Sequence, residues 1–205
     1  MSTTVELVLV RHAEPVRVEG GDHPADPHLT PRGHEQAQRL AAWLADETVD
    51  HLVTSPLVRA RETGAPVAAT TGLAPEVVKG VAEWDVGSHD YIPVEELRRR
   101  QDERWFAMIE GRWELGGGVD PVAYRNQVVE AVEGVIDRFP ARRVVVVCHG
   151  GAINAYLGHV VGIERPLWFE PAYASISRVA ASRTGVRSIV SVNETPHLRS
   201  RAAPR

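Results

Sequence analysis

The chain has 205 residues, of which 43% are hydrophobic and 24% are charged, and its formal net charge is −4. This is the composition of an ordinary globular domain, and the negative charge argues against a general nucleic-acid-binding protein, which usually has a basic excess. The single cysteine, Cys148, excludes an internal disulfide and a cysteine-rich zinc site. Because no apolar run approaches the ~20 residues of a membrane span and no signal-like segment is present, we expect a cytoplasmic protein.

The first predicted element is a buried strand over residues 5–10, because this run is largely continuous in apolar residues rather than alternating. Arg11-His12-Ala13-Glu14 follows it directly. The motif therefore lies at the carboxyl end of a strand, which is where ligands bind in open α/β sheets. Residues 15–28 are rich in Gly, Asp, His and Pro and lack apolar periodicity, so we interpret them as a long loop at the rim of an active site.

Three elements are predicted between residues 30 and 69. Thr30-Pro31, a capping residue followed by proline at the first helical position, begins a helix whose apolar residues recur at helical spacing. Residues 51–54 form a short strand. Ser55-Pro56 repeats the cap-and-proline signal and predicts a helix to about residue 69, which Pro66 is expected to kink or to end early.

The middle of the chain predicts a helical cap from about residue 83 to residue 119. Helices are predicted over residues 93–109 and 121–139, with a flexible connector at the glycine run 116–118. Arg98-Arg99-Arg100 lies among acidic residues, so we interpret it as a solvent-exposed helix face rather than a nucleic-acid contact.

A second buried strand, residues 144–148, leads to His149-Gly150-Gly151 and a helix over residues 152–161. Strands over residues 174–181 and 186–192 follow. The alternation of strands and helices predicts an α/β fold. We expect a single domain of residues 1–196, followed by a disordered tail of residues 197–205, which is basic and rich in Ala and Pro.

Four side chains are predicted to converge on one dianionic group, namely Arg11, His12, Arg59 and His149. Arg59 lies one turn from the start of a helix, where a guanidinium and free backbone N–H groups suit a phosphate. Gly150 and Gly151 allow a ligand to approach the backbone closely. A neutral imidazole can attack phosphorus when cationic neighbours stabilise the phosphoryl oxygens, so the set predicts phosphoryl transfer.

The leaving group of such a reaction needs a proton, so a carboxyl group is expected nearby. Glu83 is the candidate, because its neighbours Val81 and Trp84 provide an apolar setting that would raise its pKa. Asp85 is the alternative proton donor, and a solvent-exposed loop carboxylate is the alternative interpretation of Glu83.

Five motifs in order resemble the histidine phosphatase superfamily, in the branch of phosphoglycerate mutases and small phosphatases. They cover residues 5 to about 160 and are Leu9-Val10-Arg11-His12-Ala13-Glu14, Leu29-Thr30-Pro31-Arg32-Gly33, Ser55-Pro56-Leu57-Val58-Arg59-Ala60-Arg61-Glu62-Thr63, Glu83 with Gly87, and Val147-Cys148-His149-Gly150-Gly151. The resemblance implies a three-layer sandwich whose central sheet is mostly parallel, with helices on both faces. It also implies His12 as nucleophile, a phosphate pocket of Arg11, Arg59 and His149, Glu83 as proton donor, and no metal or other cofactor.

The chain departs from the family's pattern in several places. Ala13 stands where the family usually has Gly, and residues 15–18 replace the stretch in which mutases carry a phosphate-contacting Asn, so Arg17 is a candidate substitute. Trp84-Asp85-Val86-Gly87 replaces the mutases' Arg-His-Tyr-Gly, and the only lysine, Lys79, is not placed as mutases place theirs. The lack of basic residues placed as mutases place theirs favours hydrolysis of a small phosphorylated metabolite over mutase activity, whereas residues 15–18 keep a non-catalytic protein open. The alternatives are a phosphoglycerate mutase-type phosphotransferase and a non-catalytic phospho-ligand binding protein.

Two other groups of residues have simpler interpretations. Cys148 would form a Cys–His pair with His149, but adjacent strand residues point to opposite faces, so we interpret Cys148 as a core residue. A second group matches no standard zinc spacing and is interpreted as a polar rim loop, namely Asp22, His23, Asp26, His28 and His34. If the protein self-associates, a homodimer is the expected assembly, because dimers are the commonest oligomers.

Overall fold

The computed structural model describes residues 4–112 and 119–199. Its strands are β1 (Thr4–Arg11), β2 (His51–Thr54), β3 (Glu76–Val77), β4 (Arg143–Cys148), β5 (Ile176–Ser182) and β6 (Arg187–Glu194). Its helices are α1 (Pro31–Leu44), α2 (Val58–Thr71), α3 (Val94–Arg100), α4 (Glu103–Glu110), α5 (Pro121–Arg138) and α6 (Gly150–Val161). Short 3-10 helices cover Lys79–Val81 and Pro196–Leu198.

The strands form one sheet in the order β3-β2-β4-β1-β5-β6. The pairs β3–β2, β2–β4 and β4–β1 are parallel, whereas β5 runs antiparallel to β1 and to β6. The predicted mostly parallel sheet is thereby confirmed. Strands β3 and β2 meet in a ladder of two residue pairs, and the two-residue β3 was not predicted.

Alternate residues of β1 enter two different cores, which explains why most of the strand is apolar. Val5, Leu7 and Leu9 pack with residues of α5 and α6, whereas Val8 and Val10 pack with residues of α1 and α2. The helices therefore cover both faces of the sheet, and the predicted three-layer arrangement is confirmed. None of the helices in the described ranges is long and apolar enough to cross a membrane.

The register of the two central strands brings the histidine motifs together. In the parallel ladder Arg11 pairs with Cys148, so β1 and β4 end at the same edge of the sheet. The backbone N–H of His12, one residue further on, donates to the carbonyl of Cys148 at 2.9 Å. His12 and His149 thus leave the sheet side by side.

The predicted helix starts are correct in one case and wrong in the other. The Thr30 hydroxyl accepts from the N–H of Gly33 at 2.9 Å and caps α1, as predicted. Helix α2 begins at Val58 without a side-chain cap, and the Ser55 hydroxyl lies 2.7 Å from Nε2 of His149 instead. Pro66 lies inside α2, which continues to Thr71.

The helix predicted over residues 93–109 is two helices in the structure. Gln101 ends α3 in the left-handed region with φ of 52°, and Asp102 caps α4 by accepting from the N–H of Arg104 at 3.0 Å. The helical part of the cap is therefore α3 and α4. The predicted glycine connector at 116–118 lies outside the described residues.

The boundary of the predicted disordered tail is wrong. Pro196–Leu198 form a 3-10 helix, and the buried ring of His197 lies with Nε2 at 2.9 Å from the carbonyl of Ala174. Residue 199 is also described, and residues 200–205 lie outside the described residues. The cytoplasmic location and the homodimer stay predictions.

Candidate active site

The carboxyl ends of β1 and β4 form the floor of a cavity of about 390 Å³. His12, Arg11, Arg59 and Glu83 line this floor, together with Gly150 and Gly151 at the start of α6. The ring of His149 is fully buried beside that of His12, with 5.1 Å between the ring centroids. The structure therefore brings together the residues that the sequence predicted to converge.

His12 is held as a neutral imidazole with one free nitrogen. Its Nδ1 lies 2.8 Å from the carbonyl of Ala13, and because a carbonyl only accepts, Nδ1 carries the proton. Burial, followed by the positive charges of Arg59 and Arg11, holds the pKa of His12 well below its ordinary value. The lone pair on Nε2 is therefore free to attack an electrophile.

Two carboxylates of the cap region orient the two arginines. Arg59 donates Nη2–H bonds to both oxygens of Asp85, at 2.8 and 3.0 Å. Arg11 donates through Nη1 to Glu95, at 2.6 Å, and to the carbonyl of Pro171. The Arg11 guanidinium also lies over the ring of Tyr173, 4.0 Å from its centroid. Each guanidinium is therefore fixed by one edge while its other nitrogens remain available.

Those other nitrogens are the unusual feature of the site. In the described structure Nε of Arg11, Nε and Nη1 of Arg59 and Nδ1 of His149 are buried without a hydrogen-bond partner. Buried polar groups are nearly always paired in folded proteins, and unpaired ones call for a specific explanation. Buried donors on three residues close to His12 are the kind of group that stabilises the oxygens of a phosphoryl group.

The Ser55 hydroxyl contacts one ring nitrogen of His149. The Ser55 hydroxyl accepts from the N–H of Leu57 at 3.3 Å and lies 2.7 Å from Nε2 of His149. When Ser55 donates to Nε2, the ring proton lies on Nδ1. Burial, with Arg59, His12 and Arg11, lowers the pKa of His149, so the ring donates as a neutral imidazole. Sequence reasoning missed this role of Ser55.

Glu83 is held next to the floor by three donors. Its Oε1 accepts from the Tyr124 hydroxyl at 2.9 Å and from the N–H of Trp84 at 3.2 Å, and its Oε2 accepts from the N–H of Gly151 at 2.9 Å. Burial and then the charge of Asp85 raise the pKa of Glu83, as a proton donor requires. Both carboxylate oxygens of Asp85 accept hydrogen bonds from Arg59. The geometry therefore favours Glu83 as the proton donor.

Gly151 makes room for the Glu83 carboxyl. A Cβ at position 151 would overlap Oε1 of Glu83 and lie 2.8 Å from Cδ1 of Trp84. We therefore expect Gly151→Ala to displace the carboxyl and to lower kcat for an alkyl phosphate by at least about tenfold, as part of the 10²–10⁴-fold that general acids contribute. Steady-state kinetics measure this loss.

Gly150→Ala is the control for Gly151→Ala. A Cβ at position 150 would lie no closer than 3.6 Å to any neighbouring atom, the nearest being Nε of Arg11. We expect this variant to lose less activity than Gly151→Ala. An equal loss in both variants would show that α6 tolerates no side chain at its start, whatever the position of Glu83.

Arg17 does not take the role that the sequence suggested. Its guanidinium pairs with Glu19 at 2.7 Å and with Glu96 at 3.2 Å, and it does not line the cavity. The prediction that Arg17 replaces the family's Asn at the phosphate is therefore corrected. Its partners lie on the loop after β1 and on α3, so Arg17 connects these segments.

The polar rim loop pairs with the start of α2. His28 Nδ1 lies 2.6 Å from Glu62, and Asp26 accepts from the N–H of Val58 at 2.8 Å. Among residues 4–112 and 119–199 no group of three or more His, Cys, Asp or Glu side chains could hold a metal ion. Cys148 packs in the core with α5 and α6, as predicted, and burial raises the pKa of its thiol to about 12.

Comparisons with known proteins show the family to which the chain is similar. A family model described as the histidine phosphatase superfamily (branch 1) matches residues 7–195. Phosphoserine phosphatase 1 of Hydrogenobacter thermophilus is 32% identical over 166 residues, which are 78% of each chain. Phosphoglycerate mutase-like protein 4 of Arabidopsis thaliana is 29% identical over 160 residues, 73% of this chain and 68% of the relative.

The fold is also that of solved structures. A phosphoserine phosphatase mutant from Entamoeba histolytica, crystallised with phosphoserine, superposes with a TM-score of 0.76 at 21% identity. The match covers 95% of this chain and 100% of that one.

Proposed function

The chain belongs to the histidine phosphatase superfamily, and from this premise we propose that it hydrolyses a phosphomonoester through a phosphohistidine on His12. The observation that carries the proposal is the set of buried donors without a hydrogen-bond partner on Arg11, Arg59 and His149, close to a His12 ring whose Nδ1 is bonded to the carbonyl of Ala13. These donors match the oxygens of a phosphoryl group, and the neutral imidazole matches the nucleophile.

The first step forms the phosphoenzyme. His12 Nε2 attacks phosphorus while Arg11, Arg59 and His149 stabilise the phosphoryl oxygens. As the N–P bond forms, the ester P–O bond breaks and the leaving oxygen takes the proton of the Glu83 carboxyl. The free alcohol departs, and Glu83 is left as a carboxylate beside the phosphohistidine.

The second step regenerates the enzyme. The Glu83 carboxylate takes a proton from a water molecule, whose oxygen attacks phosphorus as the N–P bond breaks. The electron pair of that bond returns to Nε2 of His12, and inorganic phosphate leaves. Glu83 is again a carboxylic acid, so one carboxyl serves both steps. No metal ion takes part in either step as written.

Release of inorganic phosphate from phosphomonoesters in the presence of a metal chelator tests the proposal. A non-catalytic binder would retain phosphate or vanadate without turnover. A phosphoglycerate mutase-type enzyme would interconvert phosphoglycerates and would depend on a bisphosphorylated primer. Turnover to free phosphate without a primer is the result we expect.

The pH dependence tests the role of Glu83. Because its pKa is raised, the carboxyl stays protonated to higher pH than an ordinary glutamic acid, and the first step slows as the pH rises through that pKa. We expect Glu83→Gln to lose this alkaline limb and about 10²–10⁴-fold in kcat/KM, which covers the first step, for an alkyl phosphate. The loss should be smaller for p-nitrophenyl phosphate, whose leaving group needs no proton.

Asp85→Asn is the matched control for the donor assignment. Suppose that Asp85→Asn, rather than Glu83→Gln, lost more activity toward alkyl phosphates than toward p-nitrophenyl phosphate. Asp85 would then be the proton donor, and the assignment to Glu83 would be wrong.

A further inference from the structure

Beyond the phosphate pocket, we propose that the site selects phosphomonoesters whose alcohol is bulky, uncharged and largely apolar. This inference rests on the proposed function and names the substrate class of the same site. It is carried by the walls of the cavity, which differ in chemistry from its floor.

The outer walls of the cavity are mainly apolar. They come from the cap helices α3 and α4 and from the loop that follows α6, and include Leu97, Trp105, Met108, Ile109, Leu167 and Phe169. The volume of about 390 Å³ lies within the range of ~300–1,000 Å³ that is typical of sites for drug-sized ligands. A phosphoryl group on the floor therefore leaves most of this space to the alcohol.

The charged residues of the walls give no strong site for a second anion. Arg104 is occupied by Asp102, to which it donates through Nε and Nη2, each at 2.8 Å. Asp90 and Glu170 also line the cavity, and Glu170 pairs with Arg98, so the walls carry carboxylates that would repel a second anion. A carboxylate on the alcohol would gain little from such a rim.

Arg165 is the wall cation with the greatest freedom to bind an acid. Its Nε donates to the carbonyl of Ile109 at 2.9 Å, and its side chain is exposed. An ion pair to an exposed guanidinium is weak, because water screens the charge. Burial of apolar groups of the substrate against Leu97, Trp105 and Met108 therefore contributes more to selectivity than an ion pair with Arg165.

Alkyl phosphates of increasing length test the proposal with the chemistry held constant. Ethyl, n-hexyl and 2-phenylethyl phosphate all release a primary alcohol. Differences in kcat/KM between them therefore come from contacts with the cavity walls and not from the reactivity of the leaving group. Since each buried methylene strengthens binding about threefold to fourfold, n-hexyl phosphate should exceed ethyl phosphate by at least about tenfold. It should also exceed O-phosphoserine and 3-phosphoglycerate.

Trp105→Ala tests the wall itself. We expect the ratio of kcat/KM for n-hexyl over ethyl phosphate to fall by about tenfold, because the indole supplies a large apolar surface. Trp105→Phe should recover most of the ratio. The control is Phe106→Ala on the same helix, since Phe106 is exposed and does not line the cavity. It should leave the ratio unchanged.

The outcomes separate this proposal from the one on which it rests. If phosphate is released but phosphoserine or 3-phosphoglycerate is the preferred substrate, the apolar selectivity is wrong and the phosphatase activity stands. A hexyl-to-ethyl ratio near one in the wild type, or a ratio that Trp105→Ala does not change, also overturns it. If the wild type releases phosphate from none of these esters, the proposed function itself fails.

Discussion

Replacing His12 with alanine is expected to lower kcat by at least about 10⁴-fold for every phosphomonoester, since removal of an enzyme's nucleophile costs losses of this order or more. The reason is geometric. The ring is oriented by its Nδ1–H bond to the carbonyl of Ala13, which directs the Nε2 lone pair to the site. Phosphate release under saturating substrate measures the loss.

The same variant should form no phosphoenzyme. Rapidly quenched turnover mixtures of the wild type are expected to contain an acid-labile phosphoryl adduct on His12. His149→Ala should still form it, more slowly, because His149 donates to oxygen and does not attack phosphorus. His34→Ala, at an exposed position of α1, controls for general loss of a histidine. An adduct in His12→Ala would show that another residue is the nucleophile.

The central part of the fold could be predicted because its signals are local. A strand covered on both faces is largely apolar, so β1 and β4 are visible as short, mainly apolar runs. Two such strands in a parallel sheet end at one edge, and His12 and His149 follow them. The adjacency of the two rings is therefore a consequence of topology that the sequence already contains.

Roles that depend on distant partners could not be predicted in the same way. Ser55-Pro56 has the local signature of a helix start, yet the partner of Ser55 is His149, 94 residues further on. Tyr124 likewise bonds Glu83 from 41 residues away, and no local pattern marks a tyrosine of α5 as part of the site. Such roles depend on which distant segments pack together in the folded chain, and no local sequence pattern contains that information.

The wrong predictions have local causes as well. The sequence of residues 93–109 is helical almost throughout, and the break at Gln101 depends on one left-handed residue followed by the Asp102 cap. Arg17 lies near the first motif in the chain, but the segment turns it toward Glu96 of α3. The basic end of the chain resembled a disordered tail, although His197 packs against Ala174 and Trp43.

Arg59→Gln should have the second large effect, a fall of about 10³-fold in kcat/KM. Arg59 offers two buried nitrogens without a hydrogen-bond partner in the described structure, Nε and Nη1, and removal of a single oxyanion donor costs about 10²–10³-fold in known enzymes. Arg59 is also the charge that contributes most to the lowered pKa of His12. In the variant that pKa rises, so His12 becomes protonated at higher pH and the acid limb of the kcat/KM profile should move to higher pH.

The loss of Arg59 also leaves Asp85 buried without its partner, at a cost to folding of about 3–5 kcal/mol for a broken buried pair. We therefore expect Arg59→Gln to unfold at lower denaturant concentration and Asp85→Asn, added to it, to restore part of the stability but none of the activity. This double variant separates the two roles of Arg59, because a purely structural arginine would regain turnover together with stability. If the double variant recovered kcat/KM, or if the acid limb of the single variant did not move, Arg59 would not act on the phosphoryl group and on His12 as the geometry indicates.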